Sequence, residues 1–403
     1  MSRLRVGVLL KTNFGGQWIL PQVEELRRRG HEVVVILPPG PDRLTVELIR
    51  RGFAVRDSPF DFRFRPGPAT LRGLWALRQL VRELDLDVLH THLYASVLAG
   101  RLAALGLRPA RVHMVTGPLF LESPVIRTVE RLLWRLDDVT ICCTRQLSDL
   151  YARLGCPAPR RPVAGYGIDV TRFSRAALAG TDTDTGTGLR AKARAELGID
   201  PDLFLVVLTA WVYPPKRLAL RGRGVKGHDL LLAAWQRFRP AHPGAHLLLV
   251  GSGLPPDGEP HREQLIETFG VVEDPTVTWL PSADDVRPYL AAADVSVSPS
   301  RSEGGSGAVQ EASAMGVPSI VTAVGGLPEM VDASTGWMVP PEDPAALAEA
   351  LGAAYREFGA GWLARRGALA RERAVQLFDG EVSAGRVADI LERAAAARGG
   401  VER

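Results

Sequence analysis

Two successive stretches of the chain repeat one pattern, in which short apolar runs alternate with segments of helical periodicity. The apolar runs of the first stretch are RVGVLL, HEVVVILPP, DVLHTH, ARVHMVTG and VTICCT, and those of the second are LFLVVLTAW, AHLLLVGSG, TVTWL, DVSVSPS and VPSIVTA. Regular alternation of strand and helix is typical of a parallel sheet wound with helices on both faces. Because 403 residues exceed one ordinary hydrophobic core, the sequence predicts two Rossmann-like, doubly wound α/β domains facing across a cleft.

A Pro- and Gly-rich segment, PRRPVAGYGIDVTRFS, lies between the two stretches, and the polar tract AGTDTDTGTG follows it. This composition indicates a linker and then a flexible loop. We therefore expect an N-terminal domain over 1–168 and a C-terminal domain over 169–375. Ligands of open parallel sheets bind beyond the carboxyl ends of the strands, so the loops at those ends are the candidate sites.

Composition favours a globular protein of a reducing cytoplasm. The three cysteines have no metal-ligand spacing and form no recognisable disulfide framework. No segment approaches the ~20 apolar residues of a membrane span, and the first apolar run is too short for a signal peptide. These features predict a soluble protein.

The net charge of +4 is unevenly distributed along the chain. Up to Asp169 the charge is roughly +9, and the remainder carries roughly −5. The positive excess allows an anionic partner near the first domain, either a membrane surface or an acidic acceptor. A solvated, arginine-rich surface explains the charge equally well. We expect no nucleic-acid partner.

The segment SEGGSGAVQEASAMGVP combines two carboxylates with a glycine-rich turn directly after a strand. Glu303 comes at the carboxyl end of that strand, and Gly304 and Gly305 permit close approach of the backbone to a ligand. Ser306 is a candidate N-cap for a helix whose free N–H groups can bind a phosphate. Glu311 lies about one and a half turns into that helix and can point back toward the ligand.

This segment has the outline of a nucleotide-sugar site. Carboxylates accept hydrogen bonds from vicinal hydroxyls and are poor phosphate ligands, so the glutamates suit two sugars and the amides suit a diphosphate. Lys226, in GVKGHDLLLAAWQRF, supplies a cation at another helix start. Gly15 and Gly16, in KTNFGGQW after the first strand, are candidates for approaching the same phosphates from the other domain. The alternative is an ordinary exposed helix cap, since glutamate is common near helix N-termini.

The histidines of the first domain are candidate metal ligands by position. His90 and His92 alternate onto one face of the strand DVLHTH, and His113 lies in the next strand. The spacing is compatible with a metal ion, but no third ligand completes a pattern. Hydrogen-bonded structural histidines are the favoured interpretation, and no metal site is expected.

Several motifs occur together in the order of a known family. They are the junction GYGIDVTRF, then KGHDLLLAAW with HLLLVGSG, then SPSRSEGGSGAVQEASAMGVPSIVTAVGGLPEMV with TGWMVPPEDPAALAEAL. Over nearly the whole chain the sequence is similar to the retaining glycosyltransferases of family 4, which have the GT-B fold. The resemblance implies transfer of a sugar from a UDP-, GDP- or dTDP-sugar to a small-molecule or lipid-linked acceptor, without a metal cofactor. It also implies that a final helix, within 376–403, crosses back onto the N-terminal domain.

The resemblance assigns roles to the candidate residues. It implies that Glu303 contacts hydroxyls of the transferred sugar, that Glu311 holds the ribose, and that Lys226 binds the phosphates. It further implies that Gly16 closes over the diphosphate and that Gly251 lies near the nucleobase. The amides that would bind the donor sugar or the diphosphate belong to Gly305, Ser306 and Gly307.

The chain departs from the family pattern after the strand LFLVVLTAW. The family commonly has Gly-Arg-Leu there, with the arginine on the phosphates, whereas this chain reads AWVYPPKRLALRGRGVKG. Lys216, Arg217, Arg221 and Arg223 compete for that role, and Lys216 is the preferred candidate.

Two further departures affect individual contacts. Thr116, in MVTGPLF, stands where the family often has a histidine, so Thr116 and His92 are the candidate contacts to donor or acceptor. Gly305 stands where the family often has an aromatic residue or leucine.

Retaining transfer in such a family is thought to occur at one face of the sugar. The diphosphate leaves as the acceptor hydroxyl enters, and the leaving phosphate oxygen takes the acceptor's proton, so no protein base is required. Alternatives are a nucleotide-sugar epimerase of the same fold and a non-catalytic protein that binds nucleotide sugars. A glycoside hydrolase is disfavoured, because its carboxylates flank the bond from two sides whereas Glu303 and Glu311 share one loop–helix unit. The donor's base and sugar, the acceptor and the oligomeric state stay open.

Overall fold

The computed structural model describes residues 3–179, 187–215, 220, 222–255 and 257–399. The chain forms two compact units, an N-terminal unit of Met1–Gly167 with Gly380–Arg403 and a C-terminal unit of Ile168–Asp379. Most of the predicted flexible loop AGTDTDTGTG, residues 180–186, lies outside the described residues. None of the described helices is both long and apolar enough to cross a lipid bilayer.

The N-terminal unit alternates strands and helices from its first residues onward. Its elements are β1 (Arg5–Leu9), α1 (Leu20–Arg28), β2 (Glu32–Leu37), α2 (Arg43–Arg50), β3 (Ala54–Asp57), α3 (Pro68–Glu83), β4 (Val88–His92), α4 (Tyr94–Ala103), β5 (Ala110–Val115), α5 (Pro124–Leu133), β6 (Val139–Cys142) and α6 (Arg145–Arg153). Short 3-10 turns cover Gln17–Ile19, Leu119–Glu122, Trp134–Leu136 and Ala158–Arg160.

The C-terminal unit continues the alternation. Its elements are α7 (Arg175–Ala179), α8 (Thr187–Glu196), β7 (Phe204–Thr209), α9 (His228–Phe238), β8 (Ala245–Val250), α10 (Glu259–Phe269), β9 (Val277–Leu280), α11 (Arg287–Ala292), β10 (Val295–Ser298), α12 (Gly307–Ala314), β11 (Ser319–Thr322), α13 (Leu327–Met330), β12 (Gly336–Val339), α14 (Pro344–Gly359) and α15 (Leu363–Leu377). A 3-10 turn covers Arg239–Ala241, and the last described element, α16 (Gly380–Gly399), belongs to the N-terminal unit.

Both sheets are six-stranded and have the same topology. The strand orders are β3-β2-β1-β4-β5-β6 and β12-β11-β10-β7-β8-β9, and every pairing is parallel. In each sheet the chain first winds outward in one direction and then in the other, so the order reverses between β1 and β4 and between β7 and β10. The predicted doubly wound architecture is confirmed, and these reversal points are where such sheets bind ligands.

Strand β7 illustrates why the sheets read as continuous apolar runs. Leu205 and Val207 point into one hydrophobic cluster, whereas Phe204, Val206 and Leu208 point into another on the opposite face. Every residue of β7 is buried. A strand covered by helices on both faces needs apolar residues at successive positions rather than at alternate ones.

The final helix belongs to the N-terminal unit, where it packs on α1. Arg29 at the end of α1 donates to Asp389 at 2.7 Å and to Glu392 at 3.2 Å. Nearer the end of the helix, Arg398 pairs with Asp138 at 2.7 Å. These ion pairs add specificity to an apolar helix–helix contact.

Two short strands were not predicted from the sequence. Strands β3 and β12 are edge strands, and each contains exposed residues. Strand β3 reads AVRD and carries two charged residues, so it lacks an apolar run, whereas β12 reads GWMV and was missed although it is apolar. The helix α2 was likewise not predicted.

Candidate functional site

The turn between β10 and α12 lies at the reversal point of the C-terminal sheet. Strand β10 pairs with β7 on one side and β11 on the other. The chain then passes from Pro299 to Ser306 at the carboxyl end of the sheet before α12 begins at Gly307. The turn therefore occupies the position at which doubly wound sheets bind their ligands.

Lys226 and Glu303 form an ion pair at this turn. Lys226 Nζ lies 2.7 Å from Oε1 and 3.0 Å from Oε2 of Glu303. The side chains are 22% and 10% exposed, respectively. Burial alone would lower the pKa of Lys226, but the carboxylate of Glu303 outweighs that effect and raises the pKa. Lys226 is thus held as a cation in a partly buried site.

Two glycines allow the backbones around this pair to come into contact. Gly227 has φ +67°, and a Cβ at that position would lie 2.0 Å from the carbonyl oxygen of Pro299. Gly325 has φ +53°, and its Cβ would lie 1.7 Å from the carbonyl oxygen of Glu303. The N–H of Gly326 also donates to that oxygen, at 3.3 Å. Only glycine fits these two positions, both for its backbone conformation and for the space available.

Arg301 links the loop that contains Lys226 to the turn between β10 and α12. Its side chain is 4% exposed and donates to the carboxylate of Asp229 at 2.7 and 2.8 Å and to Glu342 at 2.8 Å. Its backbone N–H donates to the carbonyl of Val225 at 2.8 Å, next to Lys226. Although burial opposes it, the hydrogen bond from Arg301 lowers the pKa of Asp229. Arg301 was not predicted from the sequence, where its only signal is its place in SRSEGG near Glu303.

The N-terminus of α12 is open. Ser306 is the N-cap residue and has an extended backbone, but its hydroxyl makes no capping hydrogen bond. The buried hydroxyl of Ser302 also has no partner among the residues that the structure describes. Gly304 is buried, a Cβ at Gly305 would lie 3.3 Å from Met330, and one at Gly307 would meet open space. Free amides and unpaired hydroxyls at a helix start can take up an oxyanion.

Glu311 lies within α12 and has no hydrogen-bond donor among the described residues. Burial raises the pKa of its carboxyl to about 7. The guanidinium of Arg172 acts in the opposite direction, and the carboxylate of Asp285 adds to the rise. The Glu311 carboxyl therefore titrates near neutral pH instead of in the usual acid range.

Gly251, directly after β8, allows the backbone there to contact the backbone directly after β7. A Cβ at Gly251 would lie 1.9 Å from the carbonyl oxygen of Ala210. Trp279 Nε1 donates to the Gly251 carbonyl at 2.9 Å, and the Trp279 ring stacks on His228 with the ring centroids 5.5 Å apart. Burial lowers the pKa of His228 to about 4, so this histidine is neutral at physiological pH.

The glycine pair of the N-terminal unit has a structural role of its own. Gly16 has φ +96°, and a Cβ there would lie 3.1 Å from Leu10 and 3.2 Å from Leu44. Gly15 has no atom within 4 Å of its Cβ position. Asn13 holds the same loop by donating to carbonyl oxygens of the segment after β2. The conformation of Gly16 thus follows from the turn and the packing around it.

The histidines of β4 are buried and neutral. His90 Nδ1 bonds the Val112 carbonyl at 3.1 Å, and His92 Nδ1 bonds the Tyr166 hydroxyl at 3.0 Å. Burial lowers the pKa of both, to about 4 for His90 and well below its ordinary value for His92. His92 Nε2 has no partner in the described part of the chain. Thr116 is half-buried after β5.

The basic candidates for the missing family arginine divide into two groups. Lys216, Arg217 and Arg221 lie outside the described residues. Arg223 is described, and its guanidinium lies 2.7 Å from Glu342, the carboxylate that Arg301 also binds. Arg223 therefore shares Glu342 with Arg301, which holds the turn between β10 and α12.

Two family models match separate parts of the chain. The model described as Glycosyltransferase Family 4 matches residues 17–172. The model described as Glycosyl transferases group 1 matches residues 216–357. Together they cover most of both units.

Curated relatives include glycosyltransferases from several bacteria. A D-inositol 3-phosphate glycosyltransferase of Segniliparus rotundus is 37% identical over 142 residues, which are 34% of this chain and 28% of that protein. The protein of the same name from Geodermatophilus obscurus is 30% identical over 304 residues, or 72% of this chain and 60% of that protein. The putative colanic acid biosynthesis glycosyltransferase WcaL of Escherichia coli is 26% identical over 330 residues, or 78% and 72%. The chain thus spans less than two thirds of the first and second of these relatives.

Solved structures have the same architecture. HepE from Anabaena has a TM-score of 0.78 at 19% identity, covering 97% of this chain and 100% of that one. Sucrose-phosphate synthase from Thermosynechococcus elongatus has a TM-score of 0.77 at 23% identity, covering 98% and 100%. The fold is GT-B, and the chain belongs to the group 1 glycosyltransferases of family 4.

Proposed function

We propose that the chain transfers a sugar from a nucleotide diphosphate sugar to an acceptor hydroxyl, with retention of configuration and without a metal ion. The observation that carries this proposal is the Lys226–Glu303 ion pair beside the open N-terminus of α12. A cation, free amides and a carboxylate at one turn match the three chemical parts of a sugar diphosphate.

Lys226 and the α12 amides would bind the diphosphate. An ammonium has three N–H donors, so Lys226 can keep one contact to Glu303 and direct another hydrogen at a phosphate oxygen. Positive charge already in place at this turn stabilises the negative charge that grows on the leaving diphosphate. Gly16, and Lys216 outside the described residues, are the further proposed phosphate contacts.

The two glutamates would bind the sugars. Glu303, held by Lys226, accepts hydrogen bonds from hydroxyls of the transferred sugar through its outer lone pairs. Glu311 has no donor among the described residues, so its carboxylate is available to two vicinal ribose hydroxyls. Gly251 and its surroundings would then border the nucleobase.

The proposed reaction uses one face of the sugar. The bond between the anomeric carbon and the diphosphate oxygen breaks, and the bond to the acceptor oxygen forms on the same side. The acceptor's proton passes to the leaving diphosphate oxygen. Lys226 occupies both oxygens of Glu303, which supports a holding role for this carboxylate rather than the role of a base.

The names of the relatives and of one solved structure suggest which donors and acceptors to test. The HepE structure has UDP and glucose bound, and one relative, from Corynebacterium glutamicum, is named as GDP-mannose-dependent. We therefore propose UDP-, GDP- and dTDP-sugars as the donor panel. Inositol phosphate, which two relatives are named for, and lipid-linked hydroxyls form the acceptor panel.

Thermal shift against the donor panel, followed by product analysis, tests the proposal. A matching donor raises the melting temperature by mass action, and the product keeps the donor's anomeric configuration. A changed sugar nucleotide released without acceptor would identify an epimerase. Tight binding with no turnover across the acceptor panel would identify a binding protein. A product of inverted configuration would overturn the retaining mechanism.

A further inference from the structure

An open cavity of about 500 Å³ lies between helices α9 and α14 of the C-terminal unit. Phe238, at the end of α9, and Gly352 of α14 form part of its wall, together with four side chains that can bind a polar ligand. These four are Arg237, His242, Glu349 and Arg356. The volume is within the range of about 300–1,000 Å³ that is typical of small-molecule sites. We call this cavity, with its lining side chains, the α9/α14 cavity.

The α9/α14 cavity lies toward the amino ends of the strands, whereas the turn between β10 and α12 lies at their carboxyl ends. Helix α9 starts directly after Lys226 and Gly227, and its last residue, Phe238, lies about 15 Å farther along the helix. The chain then passes His242 and enters β8 at its first residue, Ala245. Helix α14 packs along α9 and supplies the opposite wall. The cavity is therefore separate from the turn that contains Glu303.

Contacts within the unit hold the ring of His242 in one orientation. Its Nδ1 donates to the carbonyl oxygen of Phe238 at 2.8 Å. The ring stacks on that of Phe238, with the centroids 4.2 Å apart and an angle of 12° between the planes, and the Tyr355 ring packs against it at 4.7 Å. A carbonyl oxygen only accepts hydrogen bonds, so Nδ1 carries the proton and Nε2 is the ring nitrogen left for a ligand.

The charged side chains of the cavity are not paired with one another. In the part of the chain that the structure describes, no carboxylate lies within salt-bridge distance of Arg237 or Arg356. Glu349 lines the same cavity but makes no hydrogen bond or ion pair with these described residues. A Cβ at Gly352, one turn before Arg356, would lie 3.6 Å from Nη1 of that arginine. The absence of a side chain at Gly352 thus leaves room for the guanidinium and for a ligand beside it.

This arrangement fits a small molecule with a phosphate at one end and hydroxyls at the other. Guanidinium groups bind phosphate oxygens through charge-assisted hydrogen bonds. A carboxylate repels phosphate, but it accepts hydrogen bonds from hydroxyl groups. Glu349 and Arg356 lie two turns apart on α14, about 10 Å along the helix axis, which is a distance that a sugar phosphate can span.

We propose that the α9/α14 cavity binds a sugar phosphate. The phosphate lies on the guanidinium groups of Arg237 and Arg356, and the sugar hydroxyls donate to Glu349 and to Nε2 of His242. A bare anion uses only the guanidinium groups and leaves Glu349 without a partner, so it should bind more weakly. This binding goes beyond sugar transfer and does not depend on it.

Titration of the full chain, followed through the Cε1–H proton resonance of His242, tests the proposal. The resonance is assigned by its absence from His242→Gln, and it reports on this cavity because His242 lies far from Lys226. At one pH and one ionic strength, we expect ribose 5-phosphate to shift the resonance. Inorganic phosphate should shift it with an affinity about ten-fold lower. Ribose without phosphate should leave it unchanged at the same concentrations.

Two variants test the separate halves of the cavity. Arg237→Gln with Arg356→Gln should weaken the binding of ribose 5-phosphate by about 10²-fold, at about ten-fold for each charge-assisted contact. Glu349→Ala removes only the contact to hydroxyls, so it should lower the affinity for ribose 5-phosphate relative to that for inorganic phosphate by about ten-fold.

Arg365→Gln with Arg386→Gln is the matched control for the double variant. Both of these arginines are exposed, as Arg237 and Arg356 are, and the change in net charge is the same. The control should bind ribose 5-phosphate as the wild type does.

Several outcomes would overturn the proposal. They are an unchanged His242 resonance in ribose 5-phosphate, an equal shift by ribose alone, and equal losses of affinity in the two double variants. Sulfate that binds as tightly as ribose 5-phosphate would show an unspecific attraction of anions instead of a sugar phosphate site.

Discussion

Lys226 Nζ contacts both carboxylate oxygens of Glu303, at 2.7 and 3.0 Å, although the residues lie 77 positions apart in the chain. The pair joins the loop before α9 to the turn after β10. It is assembled by backbone contacts at Gly227 and Gly325 and by the side chain of Arg301. Contacts within the C-terminal unit therefore hold the turn between β10 and α12 against the loop before α9.

Removing the cation should abolish most transfer. We expect Lys226→Ala to lower kcat/KM by about 10²–10³-fold, since it removes a preorganised charge from the leaving diphosphate. The exposed lysine of α8 supplies the control, and Lys192→Ala should leave the rate unchanged. The measurement is steady-state transfer with a donor from the panel. A rate near that of the wild type in well-folded Lys226→Ala would refute the assignment.

Because Lys226 and Glu303 act as a pair, the losses of transfer rate caused by replacing each of them should not add. We expect Glu303→Ala to slow transfer strongly, and the double variant with Lys226→Ala to be little slower than the worse single variant. A double-mutant cycle on kcat/KM measures this coupling. Fully additive losses would show that the residues act separately.

Arg301 is expected to act as a positioning residue. Lysine cannot reproduce the fork that binds Asp229 and Glu342 together, so Arg301→Lys should lower the free energy of unfolding by about 1–3 kcal/mol and weaken donor binding. Arg366→Lys is the control, because Arg366 also binds a carboxylate, that of Glu357 at 2.6 Å, away from the turn. Chemical denaturation measures the free energy of unfolding, and donor titration measures the donor affinity. Equal donor affinity in both variants would leave Arg301 a purely structural role.

The Glu311 carboxyl should make stability depend on pH. Its pKa is raised from 4.5 to about 7 in the folded chain, so between these values the folded state binds more protons than the unfolded state. Stability from this group therefore falls as the pH rises through that window. Glu311→Gln should melt higher than the wild type at about pH 8.5 and equally at about pH 4.5. The reverse order at alkaline pH would contradict the raised pKa of this carboxyl.

The affinity for nucleotide should rise with pH, whereas the stability contributed by Glu311 falls. The ionised Glu311 carboxylate accepts hydrogen bonds from both ribose hydroxyls better than the protonated acid does. We expect the affinity for nucleotide to rise with pH through about 7, the pKa of this group, and the rise to disappear in Glu311→Gln. Isothermal titration with UDP or GDP measures it. A flat profile in the wild type would separate Glu311 from the ribose.

Gly325 should tolerate no side chain. Gly325→Ala would place a Cβ 1.7 Å from the Glu303 carbonyl oxygen at a positive φ, and we expect a loss of at least about 2 kcal/mol together with a displaced Glu303. Gly359→Ala, in the last turn of α14 with open space around it, is the control and should be neutral or slightly stabilising. Thermal melting of both variants is the measurement.

A chelator should leave transfer unchanged. Lys226 and the α12 amides provide the positive charge that a divalent ion would otherwise bring to the diphosphate. We expect equal rates with EDTA and with added Mg²⁺. A rate lost in EDTA and restored by Mg²⁺ would contradict metal-independent transfer.

The fold was largely predictable from the sequence, since strands buried on both faces leave unbroken apolar runs. Strand β7 reads FLVVLT because both of its faces are covered by other parts of the unit. Strand β3 was not predicted because AVRD has no apolar run, and the short β12, GWMV, was also missed. Helical periodicity and glycine-rich turns fixed the alternation and therefore the doubly wound topology.

The sequence by itself predicted which loops form the candidate site. Glu303, Lys226 and Glu311 follow strands at the edge where such sheets bind ligands, and a local pattern suffices to locate them. Only the tertiary structure decided that Lys226 meets both oxygens of Glu303, that Arg301 anchors their loops, and that Glu311 is left without a donor among the described residues. The reason is physical: these relationships depend on strand order and on backbone contacts between distant segments, which no local spacing encodes.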